Sequence, residues 1–191
     1  HMLPSSNRIR DGLFEFGGSS IQRGGAESHA IHGALRKLPW SIVEQTGQSL
    51  VCQIQSSDHP AINWPWPIAA RVAQRIEGDL LISTLQLTNT GKTNMPAGFG
   101  WHPYFVRRVN GSEPTLTLPV DGVYPDAAGD CMPDGPAVNL PESLDFRNPR
   151  QLDSDQRIDC CLSGLSGQCD IHWREGGIRL AMNATDICRY L

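Results

Sequence analysis

The sequence predicts an all-β protein, an antiparallel β-sandwich built within 191 residues. Three observations predict it. Several segments alternate apolar and polar residues with period two, the mark of a half-buried strand. Short Gly-, Asp- and Asn-bearing stretches separate them, which is turn chemistry. No segment repeats its apolar residues at the 3.6 spacing of an amphipathic helix.

The elements follow in order. Residues 13–16, Leu-Phe-Glu-Phe, read as a short strand closed by Gly17-Gly18. Segments 41–44 and 50–55 alternate and flank Gly47, a hairpin signal. Segments 69–76 and 80–89 form the strongest pair, with Glu77-Gly78-Asp79 as the turn. The second of these places Leu81, Ser83, Leu85 and Leu87 on one side and Leu80, Ile82, Thr84, Gln86 and Thr88 on the other. Both sides are partly apolar, as in a sheet covered by a second sheet. Segment 121–157 is rich in Pro, Gly, Asp and Asn and reads as long loops. Strands resume at 168–173 and 178–183, joined by Glu175-Gly176-Gly177. There is no fixed-period repeat, coiled-coil pattern or low-complexity tract.

Composition excludes several classes. Formal net charge is -4 and the sequence pI about 5.8, which argues against a nucleic-acid surface. No run reaches the roughly 18 apolar residues of a membrane span. The six cysteines are too few at this length for a disulfide framework and read as reduced thiols acting as small hydrophobes. Cys160 and Cys161 are neighbours, so on a strand they face opposite ways, and Cys169 has no Cys-x-x-Cys partner. No metal site is expected. His1-Met2 reads as a cloning scar. One domain over 1–191 and a cytoplasmic location are the expectations, and nothing in the sequence fixes an oligomeric state.

Gly98-Phe99-Gly100-Trp101-His102-Pro103-Tyr104-Phe105 is the stretch richest in chemistry. Proline pushes the preceding residue toward extended backbone, so His102 is expected at a strand end. An imidazole with an ordinary pKa near 6.5 exchanges protons at neutral pH. Trp101, Tyr104 and Phe105 offer aromatic faces for the apolar side of a sugar ring.

Further motifs run in a fixed order: Ser6-Asn7-Arg8-Ile9-Arg10-Asp11-Gly12, then His29-Ala30-Ile31-His32-Gly33 leading to Pro39-Trp40, then Asn63-Trp64-Pro65-Trp66-Pro67, and then Leu87-Thr88-Asn89-Thr90-Gly91 with Met95-Pro96. Together with the His102 stretch, their order and spacing resemble the aldose 1-epimerase (galactose mutarotase-like) family, over essentially the whole chain. The resemblance implies a mutarotase-like supersandwich cradling a sugar of galactose or glucose type. It implies interconversion of α and β anomers by acid/base ring opening and closure, which needs no cofactor. It implies His102 as general acid on the ring oxygen and His32 as a second histidine that binds and polarises the sugar. Arg8 and Asp159, with Asn7, Trp101 and Tyr104, are implied to hold the substrate.

The family's general base, a glutamate near the C-terminus, has no match here; Glu175 and Asp186 do not fit its motif. The resemblance therefore implies a domain lacking outer strands at both ends. Two alternatives follow. One is a hexose-6-phosphate epimerase, drawing on Arg8, Arg10, Arg36, Arg71 and Arg75. The other is a sugar-binding protein without catalysis. Trp64 and Trp66 fit a sugar platform or a plug at the sandwich edge equally well. His29, His59 and His172 read as structural or surface residues.

Overall fold

A computed structural model describes residues 1–24 and 29–191. The chain divides into two compact units, His1–His102 and Pro103–Leu191. All ladders between described strands are antiparallel, as predicted.

The first unit contains β1 (Arg8–Ile9), β2 (Leu13–Phe16), β3 (Ser19–Gln22), β4 (Ala30–Ile31), β5 (Ser41–Gln45), β6 (Ser49–Gln55), β7 (Ile68–Glu77) and β8 (Leu80–Asn89). Its main sheet runs β5-β6-β7-β8. The period-two alternation of β7 and β8 is realised as a ten-residue ladder from Ile68↔Asn89 to Glu77↔Leu80. The β5–β6 hairpin turns where the Thr46 hydroxyl accepts from the Ser49 amide at 2.9 Å. Its register shifts between Ile42 and Glu44, a β-bulge that leaves Val43 unpaired in the ladder. The strand expected at 13–16 appears as β2, and the turn at Gly17-Gly18, both with positive φ, leads into a second strand, β3, that pairs with it as a hairpin.

The core of this unit gathers Leu3, Leu35, Ile54, Trp64, Ile68 and Ala70. Leu85 and Leu87 of β8 pack against it. The expectation that both sides of β8 are covered fails at its start, where Leu80 and Leu81 are exposed. The buried stretch lies toward Ile68, whereas the β7–β8 turn projects into solvent.

The second unit contains β9 (Thr115–Thr117), β10 (Gly122–Val123), β11 (Val138–Asn139), β12 (Arg150–Gln151), β13 (Leu162–Ser163), β14 (Cys169–Trp173) and β15 (Ile178–Met182). They form two sheets, β12-β9-β14-β15 and β11-β10-β13. The predicted pair at 168–173 and 178–183 appears as β14 and β15, closed by a 3-10 turn and Gly177 at φ 63°. Segment 121–157 is mostly irregular as expected, with only two-residue strands. Phe146, Leu118, Val120, Val123, Leu162 and Cys169 make its core. All six cysteines are free thiols, and burial pushes the Cys160, Cys161 and Cys169 thiols above their ordinary pKa. No helix among the described residues is long and apolar enough to cross a membrane.

Candidate active site

The histidine pair is assembled by the first few residues. Met2 pairs with Gly100, their amides and carbonyls bonding reciprocally at 2.9 and 3.1 Å. Leu3 bridges Gly33, and the Leu3 carbonyl accepts from the Ala34 amide at 2.7 Å. The Pro4 carbonyl accepts from the Gly98 amide at 2.7 Å. One short segment thus ties the His32-Gly33 motif to the His102 motif. Gly33 makes this possible: a Cβ there would sit 1.9 Å from the Leu3 carbonyl oxygen, at φ 76°.

The result is a T-shaped contact of His32 and His102, ring centroids 5.1 Å apart at 71°. His32 lies at φ 56° and Asn7 at φ 45°, both in the left-handed region that disfavours Cβ-bearing residues. The Asn7 carbonyl accepts from the His32 amide at 2.8 Å, and Arg8 pairs with Ile31 in the β1–β4 ladder. Strain of this kind concentrates where surrounding contacts over-determine a functional geometry. His32 is half-buried and His102 exposed. His102 does not end a regular strand: β8 stops at Asn89, and beyond the single Gly100 bridge the backbone is irregular. Pro103 follows it and donates no amide hydrogen that could extend a ladder.

Asn7, Arg8, His32, Trp101 and His102 all belong to the first unit. The Arg8 Nε is buried without a hydrogen-bond partner. Trp101 is 46% exposed. Tyr104 and Asp159 belong to the second unit, where Tyr104 is 88% exposed and Asp159 also faces solvent. Trp64 is a core residue: it stacks on Phe14 at 6.0 Å, while Trp66 meets Phe16 edge-on at 5.5 Å. His29 accepts the Asp11 amide at 2.9 Å, a turn contact. Arg75, one of the arginines considered for a phosphate, pairs with Glu77 at 2.9 Å.

Cavities of about 330 and 360 Å³ are lined, one by the Trp64–Pro67 stretch and one by Glu142, Arg150 and Asp153. No group of three or more His, Cys, Asp or Glu among the described residues is placed to hold a metal ion.

Sequence reasoning missed two parts of this arrangement. His1-Met2 reads as a cloning scar, yet Met2 and the two residues after it bridge both motifs; the Gly-x-Gly spacing at 98 and 100 was the available signal of close backbone approach. Arg23 was also missed. It is 7% exposed, its guanidinium lies 5.2 Å from the centre of the Trp64 ring, and burial lowers its pKa.

Comparison with known proteins identifies the fold and the family. The aldose 1-epimerase family model matches residues 2–186. The chain is 26% identical over 193 residues to the uncharacterised protein YphB of Escherichia coli K12, covering 96% of this chain and 61% of that protein. A crystal structure of a candidate aldose 1-epimerase from Escherichia coli K12 superposes with a TM-score of 0.85 at 24% identity, covering 99% of this chain and 62% of the other. A galactose mutarotase-like protein from Lactobacillus casei superposes with a TM-score of 0.75 at 15% identity, covering 98% and 64%. The chain thus spans under two thirds of the length of these relatives. Its fold is that of the galactose mutarotase-like proteins, and with the family match running from Met2 to Asp186, the chain belongs to the aldose 1-epimerase family.

Proposed function

We propose that the protein interconverts the α and β anomers of a free hexose and that this chain carries the histidine side of the site. The observation that supports this most is the 5.1 Å edge contact between His32 and His102, built from two motifs some seventy residues apart in sequence.

In this reading the protonated His102 gives its proton to the ring oxygen as the C1–O5 bond breaks, while a base takes the proton from the anomeric hydroxyl. The open aldehyde turns about C1–C2. The hydroxyl adds back to the other face, and both protons return. His32 lies beside His102 and hydrogen-bonds the sugar, polarising it toward ring opening. Arg8 and Asn7 hold hydroxyls, and Trp101 offers an aromatic face. Asp159 and Tyr104 are assigned as further sugar contacts. The base is not assigned to a residue of this chain. A positioned acid contributes typically about 10²–10⁴-fold.

Anomer exchange followed by NMR tests the reading, with galactose, glucose and glucose 6-phosphate as substrates. The wild type is expected to accelerate exchange of a free hexose above background, and His102→Gln to lose about 10²-fold or more of that acceleration at an unchanged melting temperature. Equal rates in the two proteins would remove His102 from the chemistry. Saturable binding without acceleration would replace catalysis with sugar binding, and a response to the phosphorylated sugar alone would change the substrate class.

A further inference from the structure

We propose that Arg107 is a positioning residue whose single side chain fixes the stretch leading into Asp159 to the stretch that carries Tyr104. This rests on the assignment of both as sugar contacts, and both belong to the second unit.

Arg107 lies three residues beyond Tyr104. Its backbone is anchored: the Arg107 carbonyl accepts from the indole N–H of Trp173 at 3.2 Å, and Trp173 is buried in β14. Its guanidinium reaches across to the 153–156 loop. Nη2 donates to the carbonyls of Asp153 at 2.7 Å, Ser154 at 3.2 Å and Gln156 at 3.2 Å, and Nη1 donates again to Gln156 at 3.2 Å. Nε donates to Glu113 at 2.9 Å, which orients the fork. Glu113 takes Arg108 on its other oxygen at 2.7 Å. Burial alone raises the Glu113 pKa, but the two arginines outweigh it and hold the carboxyl below its ordinary range.

Asp159 follows this loop directly. Ile158 and Cys160, on either side of it, pack against the core of the second unit. The loop ahead of them has no strand of its own; its carbonyls are held by Arg107. Only a planar fork of five donors meets several carbonyls and a carboxylate together; an ammonium has three donors at one point. Arg108 shares the Glu113 carboxylate through its Nε, which makes it the control.

The test compares Arg107→Lys, Arg108→Lys, Asp159→Asn and the double variant Arg107→Lys/Asp159→Asn in the full chain. Amide hydrogen exchange over 153–160 reads the grip, and NMR titration with galactose and glucose reads affinity. Arg107→Lys is expected to speed exchange in the loop and to weaken sugar binding about tenfold, with no further loss in the double variant. Arg108→Lys is expected to leave the affinity unchanged. Wild-type affinity in Arg107→Lys, or losses that add fully in the double variant, would overturn the proposal. A wild type that binds neither sugar would overturn the functional reading first, and this proposal with it.

Discussion

The two units hold their chains by different means. The first carries a sheet of long strands, and in its longest ladder the backbone groups bond one another in unbroken register, Ile68 to Glu77 against Leu80 to Asn89. The second has strands of two to five residues, and much of its irregular backbone is held by polar side chains. Arg107 grips three carbonyls, Arg150 donates to those of Glu142 and Ser143, and the Asp126 carboxylate accepts from the amides of Asp130 and Cys131. The difference teaches where a substitution hurts. In a ladder, an exposed side chain is a bystander to the backbone bonds. In a stapled loop, the side chain is the bond.

The largest expected effect falls where backbone approach is closest. Gly33→Ala puts a Cβ 1.9 Å from the Leu3 carbonyl oxygen, at φ +76°. Strain of about 1–3 kcal/mol is expected, together with loss of the Leu3 bridge. Urea unfolding should register the destabilisation, and anomer exchange should fall with it as His32 and His102 separate.

Two arginines then test the contrast between units directly. Arg150 lies 4.0 Å above the Phe146 ring besides donating to two carbonyls. Arg150→Met is expected to cost about 1–2 kcal/mol in urea unfolding, from lost carbonyl bonds and the lost cation–aromatic contact. Arg75 of β7 pairs with Glu77 on an exposed surface. Arg75→Gln is expected to cost about 0–1 kcal/mol. Equal costs would erase the distinction between ladder and staple.

The smallest effect is electrostatic. Hydrogen bonds from the Arg147 side chain and amide hold the Asp145 carboxyl down at about 2. A depressed carboxylate stabilises the folded state fully above its unfolded pKa of about 3.9, and that contribution is lost as pH falls through the folded value. Carboxyl titration by NMR should show a midpoint near 2 in the wild type. Arg147→Ala should return it toward the ordinary range.

The longer ladders of both units were legible in the sequence because period two is a local signal. The β7–β8 pair, the β5–β6 hairpin and the β14–β15 pair all appear within a residue or two of their predicted bounds. The short pairings were not legible. Val123 meets Leu162 and Leu116 meets Arg150, partners too distant and strands too brief for alternation to show. At the candidate site, the motifs marked His32 and His102 but not what joins them. Met2–Pro4 has no periodicity, and its role lies in backbone groups that every residue possesses. The uncovered start of β8 was equally hidden, since leucines at 80 and 81 look the same whether or not a neighbour covers them.

The Met2–Pro4 bridge also fixes a sequence of events during synthesis. These residues precede their partners at Gly98 and Gly100 by nearly a hundred residues. At about 5–20 residues per second, translation delivers those partners roughly 5–20 s afterwards. The two imidazoles therefore meet only after the ribosome has passed the whole four-stranded sheet, which lies between them in sequence.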